Sequence, residues 1–296
     1  MSSFIDSPHD GIELSSYSPP TGPSIKLQLL PLLSACGNKD ATGASKNTGL
    51  SIWFGAKNLI NVLPELLLDY NSDYNKEVGG PGDNRTNRIL ELGAGTGLTG
   101  IWLLHHLSLS SSPFHLTLTD GVDEVLPLLS SNLLLNSPPP SSYSVSNLLW
   151  GATLPQTYDF IYGADLIYER VDTTKVRQLA STVRSGLTVE IWESPPSPLN
   201  IVDSSTLLDG EEGCLPPCLL EPFKVGRLPF FILAFTRRSF PFPSLIRIFA
   251  EEGLKCKGLV EDGTYDIFEN ETDGLTDMWR DCVVGFEPIM SVPERL

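Results

Sequence analysis

Apolar and polar positions alternate along this chain in two periods, and the period changes repeatedly. Residues 52, 56, 59, 60 and 63 are apolar at helical spacing, which predicts a helix opening an ordered region near Thr48. Arg88–Leu92 reads as a strand, Leu98–Leu107 as a helix, and His115–Thr119 as a β-branched strand ending at Asp120. Val122–Asn136 is apolar at 122, 125, 126, 129 and 133, again a helical stripe. After the Pro138-Pro-Pro140 break come Tyr143–Trp150 and the strand Asp159–Gly163. Thr173–Gly186 is helical, Phe230–Phe235 a buried strand, and Pro243–Gly253 helical, with Leu254–Val260 and Cys282–Phe286 as last strands. Repeated strand–helix units predict an α/β fold with a mostly parallel sheet covered by helices on both faces.

Two stretches break the rhythm. Residues 1–47 are rich in Ser, Pro and Gly and read as a partly disordered leader, with one apolar island, Ile25–Leu33, able to pack on the domain. Between Gly186 and Leu228 lies an insert of about 187–228, dense in Pro, Ser, Gly and acids, within which Thr188–Trp192 alternates like a strand. Loops of that length are uncommon inside compact domains. The organisation predicted is therefore a leader over 1–47 and one domain over 48–296 carrying the insert.

Composition narrows the function classes. The chain has 296 residues, 41% hydrophobic and 19% charged, enough for a sizeable core. Its formal net charge of −16 argues against direct nucleic-acid binding, which needs clustered Lys and Arg. Ten acidic residues face one basic residue between Glu261 and Glu294, a solvated surface or one that attracts a basic partner. No apolar run approaches the roughly 18 residues of a membrane span. Met1-Ser-Ser-Phe-Ile-Asp lacks the basic and apolar regions of a secretion signal. The five cysteines are odd in number and scattered, and no second ligand pair follows Cys214 and Cys218, so reduced thiols are expected and no metal site.

The chemistry concentrates at strand ends, where doubly wound sheets bind ligands. Arg88-Ile-Leu-Glu-Leu-Gly-Ala-Gly-Thr-Gly-Leu98 puts Gly93, Gly95 and Gly97 between a strand and a helix. A dinucleotide loop has a third glycine in G-x-G-x-x-G; here that position is Leu98. The compact form after the acidic Glu91 resembles the S-adenosylmethionine loop of class I methyltransferases, the alternative being a glycine turn without a ligand. Asp120 ends the second strand, where a carboxylate can accept both hydroxyls of a ribose or cap the next helix. The third strand runs into Trp150, whose indole can flank an adenine or fill the core. The fourth leads to Gly163-Ala-Asp-Leu-Ile-Tyr168, which sets Asp165 and Tyr168 beside the same crevice.

Together these residues resemble the seven-strand protein-lysine methyltransferases with a D/E-x-x-Y motif (methyltransferase family 16), a group acting on elongation factors, chaperones and calmodulin. The resemblance spans about 48–260, through Thr48-Gly with Ile52-Trp53 and Ala56, the glycine loop, Leu118-Thr-Asp-Gly-Val-Asp-Glu-Val-Leu with Asn132 and Asn136, Trp150-Gly, Asp165–Tyr168 and Ala234-Phe-Thr-Arg237. It implies a Rossmann-like, seven-stranded sheet and transfer of a methyl group from S-adenosylmethionine to a protein lysine. It also implies that Trp53, Gly93, Ala94, Gly95, Asp120, Trp150 and Ala164 line the cofactor site, while Asp165 and Tyr168 handle the acceptor. The partner expected is a protein with an exposed lysine, met by a monomer in the cytoplasm or nucleus. An arginine, a histidine or a small molecule as acceptor, and a non-catalytic interaction module, are the competing readings.

Overall fold

The computed structural model describes residues 13–29, 52–63, 86–109, 113–139, 142–168, 171–187, 230–237, 240–262 and 280–288. Seven strands form one sheet: β3 (Asn87–Leu92), β4 (Phe114–Asp120), β5 (Tyr143–Asn147), β6 (Phe160–Ala164), β7 (Phe230–Arg237), β8 (Leu254–Asp262) and β9 (Arg280–Pro288). Their order is β5-β4-β3-β6-β7-β9-β8. The pairs from β5 to β7 are parallel, and β9 runs antiparallel to both its neighbours. The predicted doubly wound, mostly parallel seven-stranded sheet is what the chain forms.

Alternation along the strands divides the core in two. Ile89, Leu116, Leu118, Phe160, Tyr162, Ile232 and Ala234 face one side. There they meet α1 (residues 54–63), α2 (Leu98–Ser108) and α3 (Val125–Asn136). Leu90, Leu92, Ile161, Phe231, Leu233 and Phe235 face the other, against α4 (Thr173–Gly186) and α5 (Phe242–Glu251). Strands buried on both faces have to be continuously apolar, which is why Phe-Phe-Ile-Leu-Ala-Phe could be read as one. Thr173 begins α4 as predicted because Asp172 accepts a hydrogen bond from the Lys175 N–H at 2.8 Å, an N-cap that halts fraying.

The apolar island of the leader packs on the domain, and it does so as part of a hairpin that the sequence pattern did not announce. Glu13–Tyr17 (β1) and Ile25–Leu29 (β2) pair as an antiparallel hairpin, and Ile25 and Leu27 are fully buried in the α2/α3 side of the core. The apolar island is thus the inner strand of a built element. Two boundaries also move. Residues 121–124 form a turn rather than helix, because Asp120 Oδ1 accepts the Val122 N–H and Val125 N–H reaches Val122 O. The third strand stops at Asn147, where Leu148 N–H crosses to Asp120 O. The insert with Thr188–Trp192 and most of the acidic run after Glu261 lie outside the described residues. Among the described residues, no helix is long and apolar enough to cross a membrane.

Candidate active site

The sheet order reverses between β3 and β6, the switch point at which doubly wound sheets leave a crevice outside the carboxyl ends of the strands. The glycine loop forms one wall. Gly93, Gly95 and Gly97 have φ of 61°, 54° and 83°, left-handed values that side chains disfavour. At Gly93 a Cβ would also strike Leu166 Cδ2 at 2.5 Å. The loop is pulled over β4 by two hydrogen bonds: Ala94 N–H to Thr119 O at 2.8 Å, and Gly95 N–H to Asp120 Oδ2 at 3.0 Å. Gly97 then opens α2 with no side-chain cap, and no acidic residue sits in the first turn.

Asp120 is the hinge of this wall. Oδ2 accepts Gly95 N–H and Oδ1 accepts Val122 N–H, each at 3.0 Å, and the Gly121 N–H acts on the same carboxylate. Burial pushes its pKa up, and the backbone N–H groups of Val122, Gly95 and Gly121 counter that by favouring the charged form. Beneath it, Glu91 is almost wholly enclosed, with Oε2 against the first turn of α2, where a Cβ on Gly100 would come within contact. Burial raises Glu91 to about 8, the nearby Tyr162 hydroxyl lowers it, and the Asp120 charge raises it further. Neither Glu91 Oε2 nor the Tyr162 hydroxyl completes a hydrogen bond among the described residues.

The opposite wall follows β6. Ala164 ends the strand, half-buried, and the chain turns through Asp165 at φ 53°. A non-glycine residue there is strained and is held by its surroundings. Two bonds hold it: Asp165 N–H to Ala234 O at 2.7 Å, and the carboxylate Oδ2 accepting Gly55 N–H at 2.6 Å. Gly55 is the second residue of α1, so Asp165 satisfies one of the orphan donors of that helix from across the crevice. A Cβ on Gly55 would lie 2.6 Å from that oxygen. Leu166 and Ile167 turn into the core, and Tyr168 is half-buried beside it. Burial first, then the charge of Asp120, push the Tyr168 phenol up, so it stays protonated and the two walls lie within electrostatic reach.

Of the residues predicted from sequence, Gly93, Ala94, Gly95 and Asp120 form one hydrogen-bonded unit. Asp165 faces α1, immediately after the half-buried Trp53. Trp150 sits on the turn after β5 and packs, like Tyr168, against the α4/α5 side of the core. Three contributors had no role in the sequence reading, Asn132 standing there only within the resemblance. Gly55 meets Asp165, Thr119 locks the loop by donating Oγ1–H to Glu91 O at 2.7 Å, and Asn132 donates Nδ2–H to Thr96 O at 2.9 Å. Gly55, a glycine in the first turn of a helix, left a local signal that could have been read, and Asn132 one through the resemblance.

Comparison with known proteins places this arrangement. The chain is 32% identical to EEF1A lysine methyltransferase 3 of Xenopus tropicalis over 132 residues, 43% of this chain and 48% of that one. It is 28% identical to Protein-lysine N-methyltransferase EFM3 of Chaetomium thermophilum over 227 residues, 72% of this chain and 56% of the relative. Protein N-lysine methyltransferase METTL21A of Danio rerio is 35% identical over 113 residues, 36% of this chain and 49% of its own length. The chain thus spans about half the length of these relatives. A family model described as lysine methyltransferase matches residues 40–190, from before α1 to just past α4, and so takes in both walls of the crevice: the chain belongs to the lysine methyltransferase family.

Proposed function

We propose that this protein transfers a methyl group from S-adenosylmethionine to a lysine side chain of a protein substrate. The observation that carries the reading is the Asp120 clasp: one carboxylate at the end of β4 fixes the glycine loop through Gly95. A carboxylate has about four acceptor positions, so beside its backbone partners it can still accept from a ribose hydroxyl. The loop with its left-handed glycines leaves backbone where a ligand can approach, and the uncapped start of α2 suits the cofactor's carboxylate. The residues present fit the cofactor: Gly93, Ala94, Gly95 and Asp120 would hold it, and Trp53, Trp150 and Ala164 are the further lining residues the family resemblance implies. When bound, S-adenosylmethionine supplies an activated methyl group on a sulfonium.

What the chain's own residues do is orient and exclude water. Alignment of two reactants is worth about 7–11 kcal/mol at best. The acceptor carries a proton, since a free lysine has a pKa of about 10.4, and neutralising it at pH 7 costs roughly 4.6 kcal/mol. Apolar surroundings lower that pKa by disfavouring charge. Asp165 acts in the opposite direction, so its part is to dock the ammonium and hold α1 in place through Gly55. Tyr168, kept protonated, donates a hydrogen bond or packs along the lysine stem. The charge of −16 fits a partner segment rich in lysine, and the scattered cysteines fit a reducing cytoplasm or nucleus, where the protein acts as a monomer.

Incubation with methyl-labelled S-adenosylmethionine and a cell extract, followed by hydrolysis of the labelled band, tests this. Methyl-lysine is the expected product. Methyl-arginine, methyl-histidine or label confined to small molecules would move the acceptor to another class. No label in any fraction, with no binding of S-adenosylhomocysteine, would remove the enzymatic reading.

A further inference from the structure

The N-terminal hairpin lies outside the residues that match the family, yet it is wired to the cofactor loop through a single buried amide. Asn132 on α3 is fully buried. Its Oδ1 accepts Gln28 N–H at 2.6 Å, and its Nδ2 donates to Gln28 O at 3.1 Å and to Thr96 O at 2.9 Å. An asparagine amide has two hydrogens, so both are spent: one on β2, the other on the loop between Gly95 and Gly97. One turn later Asn136 repeats the first half of the pattern. Lys26 N–H donates to Asn136 Oδ1 at 3.0 Å, and Asn136 Nδ2 donates to Lys26 O at 2.7 Å. The two asparagines are four residues apart on one helix face, and they read alternate residues of β2, as a neighbouring strand would. Among the described residues Asn136 has no bond to the loop; its Nδ2 also donates to Asn132 O, at 2.8 Å.

We infer that Asn132 is a positioning residue for the cofactor loop, and that through it the hairpin of residues 13–29 is part of the cofactor-binding unit. The loop then has two anchors on opposite sides: Asp120 through Gly95, and Asn132 through Thr96. Buried Ile25 and Leu27, and the bond from Trp102 Nε1–H to Thr21 O at 3.1 Å, keep the hairpin seated so that its backbone can hold the Asn132 amide in one orientation. Coupling of this kind is reciprocal: what the hairpin does for the cofactor, the cofactor does for the hairpin. The inference rests on the cofactor reading of the glycine loop.

The test uses the full chain with Asn132→Ala and Asn136→Ala, S-adenosylhomocysteine titrated by calorimetry, and hydrogen exchange at the β2 amides. Both variants remove hairpin bonds and should lower Tm. Only Asn132→Ala should weaken S-adenosylhomocysteine, about five- to tenfold, with Asn136→Ala staying within about twofold. Ligand should slow exchange of the Lys26 and Gln28 amides in the wild type and in Asn136→Ala, and fail to do so in Asn132→Ala. Should Asn132→Ala not fold, Asn132→Asp keeps the acceptor for Gln28 N–H, removes both donated bonds, and carries the same expectation. Equal affinity in a folded Asn132 variant, equal losses in both variants, or wild-type binding without protection of β2 would each overturn the inference. A wild type that binds no S-adenosylhomocysteine would instead bring down the cofactor reading, and this inference with it.

Discussion

Asp120 and Asp165 occupy equivalent places, at the carboxyl ends of two strands that flank one crevice, and they are held in opposite ways. Asp120 is the last residue of β4 and takes its partners from the loops beside it, Gly95 and Val122. Asp165 sits at φ 53° and takes Gly55, 110 residues earlier in the chain. One carboxylate shapes a loop and keeps capacity for a ligand. The other ties the first turn of a distant helix to the sheet. The same residue type at the same topological position therefore does two jobs, and the strained backbone marks the one whose geometry depends on the tertiary fold.

The sharpest way to break this contrast is at the Asp165–Gly55 contact. Asp165→Ala should reduce turnover on the identified substrate by about a hundredfold, the scale of an orientation failure. Gly55→Ala should do nearly the same, since its Cβ would lie 2.6 Å from the carboxylate oxygen. Normal turnover in Gly55→Ala would mean that α1 does not need this tie. Asp165→Asn sharpens the contrast further. Asparagine tolerates a left-handed backbone and still accepts from Gly55 N–H, so positioning survives and only the charge is lost. Its turnover should fall less than in Asp165→Ala, with the remaining deficit appearing in apparent KM for a basic substrate.

A smaller effect belongs to the Asp120 side. Glu91 titrates at about 8 in the fold against an ordinary 4.5. The folded chain thus keeps a proton that the unfolded chain has released, so the stability that Glu91 contributes is full below pH 4.5 and is lost as pH rises to about 8. The slope approaches about 1.4 kcal/mol per pH unit for one proton. Glu91→Gln should flatten it, as read from urea unfolding at stepped pH, and an unchanged slope would show that Glu91 is not the titrating group.

How much of this could be read from the sequence follows the same division. The glycine loop and Asp120 are legible because glycine spacing is a local constraint and because the loop follows, and Asp120 ends, a stretch that reads as a strand. The sheet was legible because stretches such as Phe231–Phe235 are buried on both faces and read as apolar runs. Residues 13–17 alternate too weakly between exposed and half-buried positions to announce β1. The hairpin seats through asparagine amides on a helix, which have no sequence period. The Gly55–Asp165 contact was hidden for the simplest reason: nothing local links two residues so far apart. The alternation of Thr188–Trp192 falls outside the described residues, and so does most of the acidic stretch after Glu261.

The most direct test titrates S-adenosylhomocysteine into the wild type, Asp120→Ala and Asp165→Ala under one set of conditions. Losing hydrogen bonds to a charged acceptor costs about 1.5–3 kcal/mol each, so Asp120→Ala should bind at least about tenfold more weakly. Asp165→Ala should bind as the wild type does. Equal binding in all three proteins, or a loss confined to Asp165→Ala, would contradict the division of the crevice into a cofactor wall and an acceptor wall.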